Sequence, residues 1–234
     1  MPQSRPTHPR STTHSFSASP AASAPVVLTV PGLRGSGPSH WQSRWETVRR
    51  DTRRIELGMW DRPRRNPWVT RIDQAVRAAG APVVFAAHSL GCIALAWWSE
   101  LAGLHWPGPV RGALLVAPPD LGFRPLAAEL ADFAPTPRRP LPFPAILVAS
   151  ADDPWISIAA ARSLAADWGA RFACVGAAGH INAASGLGEW AEGQVLLQRL
   201  IDPSQPAPAP GDDACARPAP PAMDAAAGSA MVGG

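Results

Sequence analysis

The sequence predicts an α/β fold, a mostly parallel sheet of about six strands with helices on both faces. Short β-type runs alternate with helical patterns, which is the signature of repeated βαβ units. The runs are continuously apolar, as in Val83-Val84-Phe85-Ala86-Ala87 and Ala145-Ile146-Leu147-Val148-Ala149. That character belongs to strands buried on both faces rather than to a one-faced sheet. The chain of 234 residues is long enough for one well-buried core.

Taken in order, the apolar runs place strands at Val26 to Val30, Arg54 to Leu57, Val83 to Ala87, Gly112 to Val116, Ala145 to Ala149 and Arg171 to Val175. Helical patterns fill the gaps, at Trp41 to Arg50, Pro67 to Ala79, Leu90 to Leu101, Ile156 to Trp168 and Glu189 to Leu200. Residues 118–144 exceed a simple connection; they hold a short amphipathic segment, Leu126 to Phe133, and a proline-rich return, and are expected to form a small lid. The folded domain is thus expected over 25–201. Residues 1–24 are rich in Ser, Thr, Pro and Ala, and 202–234 repeat Pro, Ala and Gly. Neither composition repays ordering entropy by burial, so both ends are expected to be disordered.

Composition excludes several chemistries. The chain has no lysine and no tyrosine, which removes P-loop phosphate binding, pyridoxal Schiff-base chemistry, protein kinase chemistry and Tyr-Lys reductases. The net charge of +3 and the bunched arginines Arg49, Arg50, Arg53 and Arg54 come without stacking aromatics; they read as a solvated face, and no nucleic-acid partner is expected. Cys92, Cys174 and Cys215 lack the spacing of a metal knuckle or a disulfide scaffold, so all three are expected reduced and no metal is expected. No run reaches the roughly 18 apolar residues of a membrane span, and no signal-like apolar segment precedes Ser23. A cytoplasmic chain is expected; whether it is a monomer or a homodimer is open.

The strongest chemical signal is Ala87-His88-Ser89-Leu90-Gly91, set between a buried strand and a helix. A serine on such a sharp turn is lifted above the sheet, and the residues two before and two after must be small. The competing reading is a serine N-cap. Gly32-Leu33-Arg34-Gly35 after the first strand can fold over this turn, with the backbone N–H groups of Leu33 and Leu90 as candidate oxyanion donors. Asp153 follows the fifth strand and His180 the sixth, giving the chain order Ser, Asp, His. Asp153 is the expected partner of His180, with Asp152 and Asp120 as alternatives. Trp155, two residues past the acid, is a candidate for lining the acyl pocket; His40 either touches substrate or serves the entry to its helix. His88 is assigned no chemistry.

Together with Pro31-Gly32, His40-Trp41-Gln42, Trp45-Glu46, Trp60, Pro63, Trp68, Val116-Ala117-Pro118-Pro119-Asp120 and Gly179-His180-Ile181-Asn182, these motifs resemble the small bacterial YdeN-type serine hydrolases related to retinoblastoma-binding protein nine. The resemblance covers about Val27 to Leu197, and departs at Ala87, where many members have glycine. It implies a compact α/β-hydrolase with little or no cap and a triad of Ser89, His180 and Asp153. The expected activity is hydrolysis of ester, or amide, bonds of small acyl substrates without a cofactor. The rival is a non-catalytic interaction module, although neither Cys92 nor Cys174 lies in a Leu-x-Cys-x-Glu segment.

Overall fold

Successive side chains of a strand point to opposite faces of its sheet, so each apolar run feeds two cores at once. The computed structural model describes residues 24–103, 108–122, 126–204 and 215. Its strands are β1 (Val26–Val30), β2 (Thr52–Arg54), β3 (Val83–His88), β4 (Val110–Val116), β5 (Ala145–Ala149) and β6 (Arg171–Cys174). Leu28, Val30, Phe85, Ala87, Leu115 and Leu147 face one core, shared with α2 (Arg65–Ala78), α3 (Leu90–Leu101) and α4 (Ile158–Asp167). The intervening Val27, Val84, Ala86, Leu114, Val116 and Val148 face the other, shared with α1 (Trp41–Val48) and α5 (Ala191–Ile201). α3 is apolar on nearly every side and is buried from Leu90 through Ala96, because it packs on the sheet and also against α2.

The strand order is β2-β1-β3-β4-β5-β6, and every neighbouring pair is parallel. Because β2 and β3 flank β1 on opposite sides, the connections leaving β1 and β3 diverge. That divergence opens a crevice at the carboxyl ends of the strands, where ligands of open parallel sheets bind. Among the described residues no helix is long and apolar enough to cross a membrane.

The structure corrects the expectations for the second strand and for the cysteines. The second strand is Thr52–Arg54, not Arg54 to Leu57. Ile55 and Leu57 are buried, so their apolar signal marked the core; the ladder to β1 pairs Val27, Leu28 and Thr29 with Thr52, Arg53 and Arg54. The lid segment forms a 3-10 helix at Ala128–Phe133, with Leu130 and Phe133 turned inward. Cys174 and Cys215 are joined in a disulfide, with Cα atoms 5.7 Å apart, against the expectation of three reduced thiols. The bond ties one position of the Pro/Ala/Gly-rich tail to the end of β6. Only Cys92 remains free, and burial pushes its thiol pKa far up, so it stays protonated. The expected disorder of 1–24 and 202–234 otherwise falls almost wholly outside the described residues.

Candidate active site

β3 ends at His88 and α3 begins at Leu90. Ser89 between them has φ 52° and ψ −126°, a conformation costly for any residue with a Cβ. The turn is possible because of its neighbours. A Cβ on Gly91 would collide with the Val30 carbonyl oxygen and lie 2.6 Å from that of Pro31, so strand and helix approach only over glycine. Ala87, two residues before the serine, is fully buried, and its single methyl is accommodated. Ser89 stands at the N-cap position of α3, yet its side chain caps nothing. Its hydroxyl lies 2.8 Å from Nε2 of His180 instead, which sets it apart from an ordinary serine cap.

His180 Nδ1 lies 3.0 and 2.9 Å from the two carboxylate oxygens of Asp153. The Asp153 side chain has no exposed surface, and Oδ1 also accepts the Trp155 N–H at 2.9 Å. An acceptor-only carboxylate on Nδ1 places the ring proton there and leaves the Nε2 lone pair facing the serine hydroxyl. The two alternative acids sit elsewhere. Asp120 Oδ1 accepts the Gly122 N–H at 2.8 Å. Asp152 Oδ1 accepts the Gly179 N–H at 2.7 Å and the Ser150 hydroxyl at 2.7 Å. The hydrogen bond from Ser150, and then that from Gly179, lowers the Asp152 pKa below the usual carboxylate range. Asp152 therefore clamps the histidine loop to the acid loop, and Ser150 Oγ adds a bond from the Ala178 N–H at 2.8 Å.

Other residues hold this loop from the opposite core. The indole N–H groups of Trp41 and Trp45 donate to the Ile181 and Glu189 carbonyls at 2.9 and 2.7 Å. His88, to which the sequence assigned nothing, is buried with Nε2 3.0 Å from the His180 carbonyl oxygen. That ring nitrogen donates, since a carbonyl only accepts. The signal that could have found it is a histidine closing a run of strand residues that are all buried: a polar group there must have a partner.

His40 serves the entry to its helix, its Nδ1 accepting the Gln42 N–H as the N-cap of α1, and its ring is also part of the cleft wall. Nε2 then carries the proton, and among the described residues it is buried without a hydrogen-bond partner. Burial, followed by the charge of Arg54 and then that of His180, lowers the His40 pKa from 6.5 to about 4. Burial also holds His88 well below its ordinary value. The unfolded chain binds protons near pH 6.5 that native His40 refuses until about pH 4, so stability is full above that window and falls on acidification. The loss is about 1.4 kcal/mol per pH unit for each such group. Thermal melts at pH 7.5 and pH 5 should show it as a Tm drop on the order of 10 °C, and His40→Asn, which keeps a cap acceptor, should reduce the drop. An equal drop in that variant would show that His40 is not the cause.

The cleft has a volume of about 440 Å³, and its walls include Leu33, Arg34, His40, Pro119, Leu130, Trp155 and Asn182 around Ser89 and His180. Trp155 is 51 % exposed and its ring centroid lies 6.3 Å from that of His180, at the rim. A Cβ on Gly32 would lie 2.8 Å from the Ser89 Cβ and 3.3 Å from the Leu90 nitrogen, so the β1 loop does fold over the turn. Among the described residues the N–H groups of Leu33 and Leu90 have no acceptor. No group of three or more His, Cys, Asp or Glu there is placed to hold a metal ion.

A family model described as serine hydrolase matches residues 27–199. Among solved structures, a YdeN-like hydrolase of Pectobacterium atrosepticum is 31% identical, over 75% of this chain and 88% of that one, with a TM-score of 0.63. The ydeN gene product of B. subtilis is 18% identical over 74% of this chain and 97% of that one, with a TM-score of 0.54. The esterase domain of a Rhodothermus marinus protein is 13% identical over 77% and 88%, with a TM-score of 0.56; at this identity the likeness is one of fold. No curated protein matches by sequence.

Proposed function

The chain belongs to the serine hydrolase family, of the YdeN type, and from that premise we propose that it hydrolyses esters of small acyl groups through Ser89, His180 and Asp153. The observation that carries this reading is the unbroken hydrogen-bonded line from Asp153 through His180 to a strained serine, 2.9 and 2.8 Å. Ser89 Oγ attacks the ester carbonyl carbon while its proton passes to His180 Nε2, and buried Asp153 faces the imidazolium that results. The Leu33 and Leu90 N–H groups receive the oxyanion. Each such donor is worth about 10²–10³ in rate, because the tetrahedral oxygen carries charge that the substrate carbonyl lacks. Collapse breaks the bond to the alcohol, which leaves with the proton from His180. Water then attacks the acyl-serine, gives a proton to His180, and the acid departs as Ser89 regains its hydrogen.

An ester suits the cleft better than a peptide. Among the described residues the short Ala128–Phe133 helix contributes only Leu130 to the wall, and about 440 Å³ holds a small acyl group rather than an extended chain. The reaction so written uses no metal and no organic cofactor. Incubation of the folded protein with a fluorophosphonate probe tests it. Covalent labelling blocked by prior incubation with a short acyl 4-nitrophenyl ester is the expected result. Absence of labelling in the folded protein would sink the reading and favour a binding module on the same scaffold.

A further inference from the structure

Among the described residues the walls of the cleft carry one formal charge. Among the lining residues Arg34 is the only Arg, Asp or Glu, Asp153 is shut behind His180 with no exposed surface, and burial keeps His40 and His88 neutral at pH 7. Arg34 is exposed, and among the described residues its guanidinium has no hydrogen bond or ion pair. The base of the side chain is nevertheless fixed. Arg34 takes φ 64°, its N–H donates to the Trp60 carbonyl at 2.9 Å, and the Gly35 N–H closes a turn onto Gly32 at 3.0 Å. The cation therefore starts one residue beyond the Leu33 N–H. Pro119, Leu130 and Trp155 make other parts of the wall apolar.

We infer that the cleft selects esters carrying a carboxylate within a few bonds of the scissile carbonyl, and that Arg34 receives that carboxylate. This rests on the esterase reading above. A guanidinium offers a planar fork of donors matched to a carboxylate. In a cleft flanked by protein its field is screened less than on open surface. A substrate of this kind meets one cation and no competing anion, while the apolar wall takes the carbons between the two ends. Hydrolysis of its acyl-side form releases an alcohol and a dicarboxylic acid, with one water consumed.

The experiment compares kcat/KM for two matched ester pairs in the wild-type protein and in Arg34→Gln. One pair is mono-4-nitrophenyl succinate and its methyl ester, with the charge on the acyl side. The other is 4-carboxyphenyl butyrate and its methyl ester, with the charge on the alcohol side. The ratio of anionic to neutral ester in the wild type, divided by that ratio in the variant, cancels intrinsic reactivity. It is expected to be about fivefold in at least one pair, the scale of a partly exposed ion pair, and to fall towards one near about 0.5 M salt. A value near one in both pairs at low salt overturns the inference and leaves the esterase reading standing. Turnover of none of the four esters overturns the esterase reading and this inference with it.

Discussion

Replacing Ser89 with alanine is expected to lower turnover of short acyl esters by about a millionfold, the loss seen when an activated serine is removed from a comparable site, and to abolish fluorophosphonate labelling. The size of the effect follows from the geometry. The Oγ that would form the acyl bond is the atom 2.8 Å from His180 Nε2, and alanine removes it. The fold should survive. The hydroxyl caps no helix, and its bond to the histidine is a single hydrogen bond worth about 1 kcal/mol net. Steady-state kinetics with 4-nitrophenyl butyrate and a thermal melt decide the matter: undiminished turnover in a folded variant would remove Ser89 from the mechanism.

Asp153→Asn is expected to lower turnover at neutral pH by about 10⁴ with the fold and Ser89 in place. The amide has nearly the shape of the carboxylate, and its oxygen can still accept the Trp155 N–H that Oδ1 accepts now. Its NH₂ group, however, donates towards His180 Nδ1. The ring proton then moves to Nε2, where it meets the Ser89 hydroxyl as a second donor and cannot receive the proton. Asp152→Asn is the control. Asp152 touches Ser150 and the Gly179 N–H, not the imidazole, and asparagine keeps the accepting oxygen, so a loss of no more than about tenfold is expected. Equal losses in the two variants would mean that the acid acts by holding the loop rather than by setting the tautomer.

Much of this was legible in the residues, for physical reasons that differ from element to element. β1, β5 and α3 were placed to the residue because Val26–Val30 and Ala145–Ala149 are closed by turn formers, and Leu90–Leu101 starts at the elbow. β2 was displaced because Ile55 and Leu57 bury apolar side chains without joining the ladder; hydrophobicity reports burial, not pairing. Ser89, Asp153 and His180 were nameable because each follows a recognisable strand, and the structure brings the three together. Asp152, an alternative partner for His180, turns from the imidazole onto the backbone of the same histidine loop. The bond of His88 to the His180 carbonyl was not legible, since its partner is a backbone atom whose position depends on the folded loop. Nor was the bridge from Cys174 to Cys215, because a cysteine inside a Pro/Ala/Gly-rich stretch has no spacing signature.

The hydrogen bonds from Trp41 and Trp45 to the histidine loop join residues 140 and 144 positions apart in the chain. Contacts of such high sequence separation need the chain between them to be in place before they can form. The elbow is local by comparison, built from β3, α3 and the β1 loop that lies over them. During synthesis Ser89 leaves the ribosome with its strand and helix while His180 has yet to be made. On the proposed mechanism a chain that ends before His180 presents a serine with no base, and it is expected to stay unreactive until the histidine loop has docked against α1.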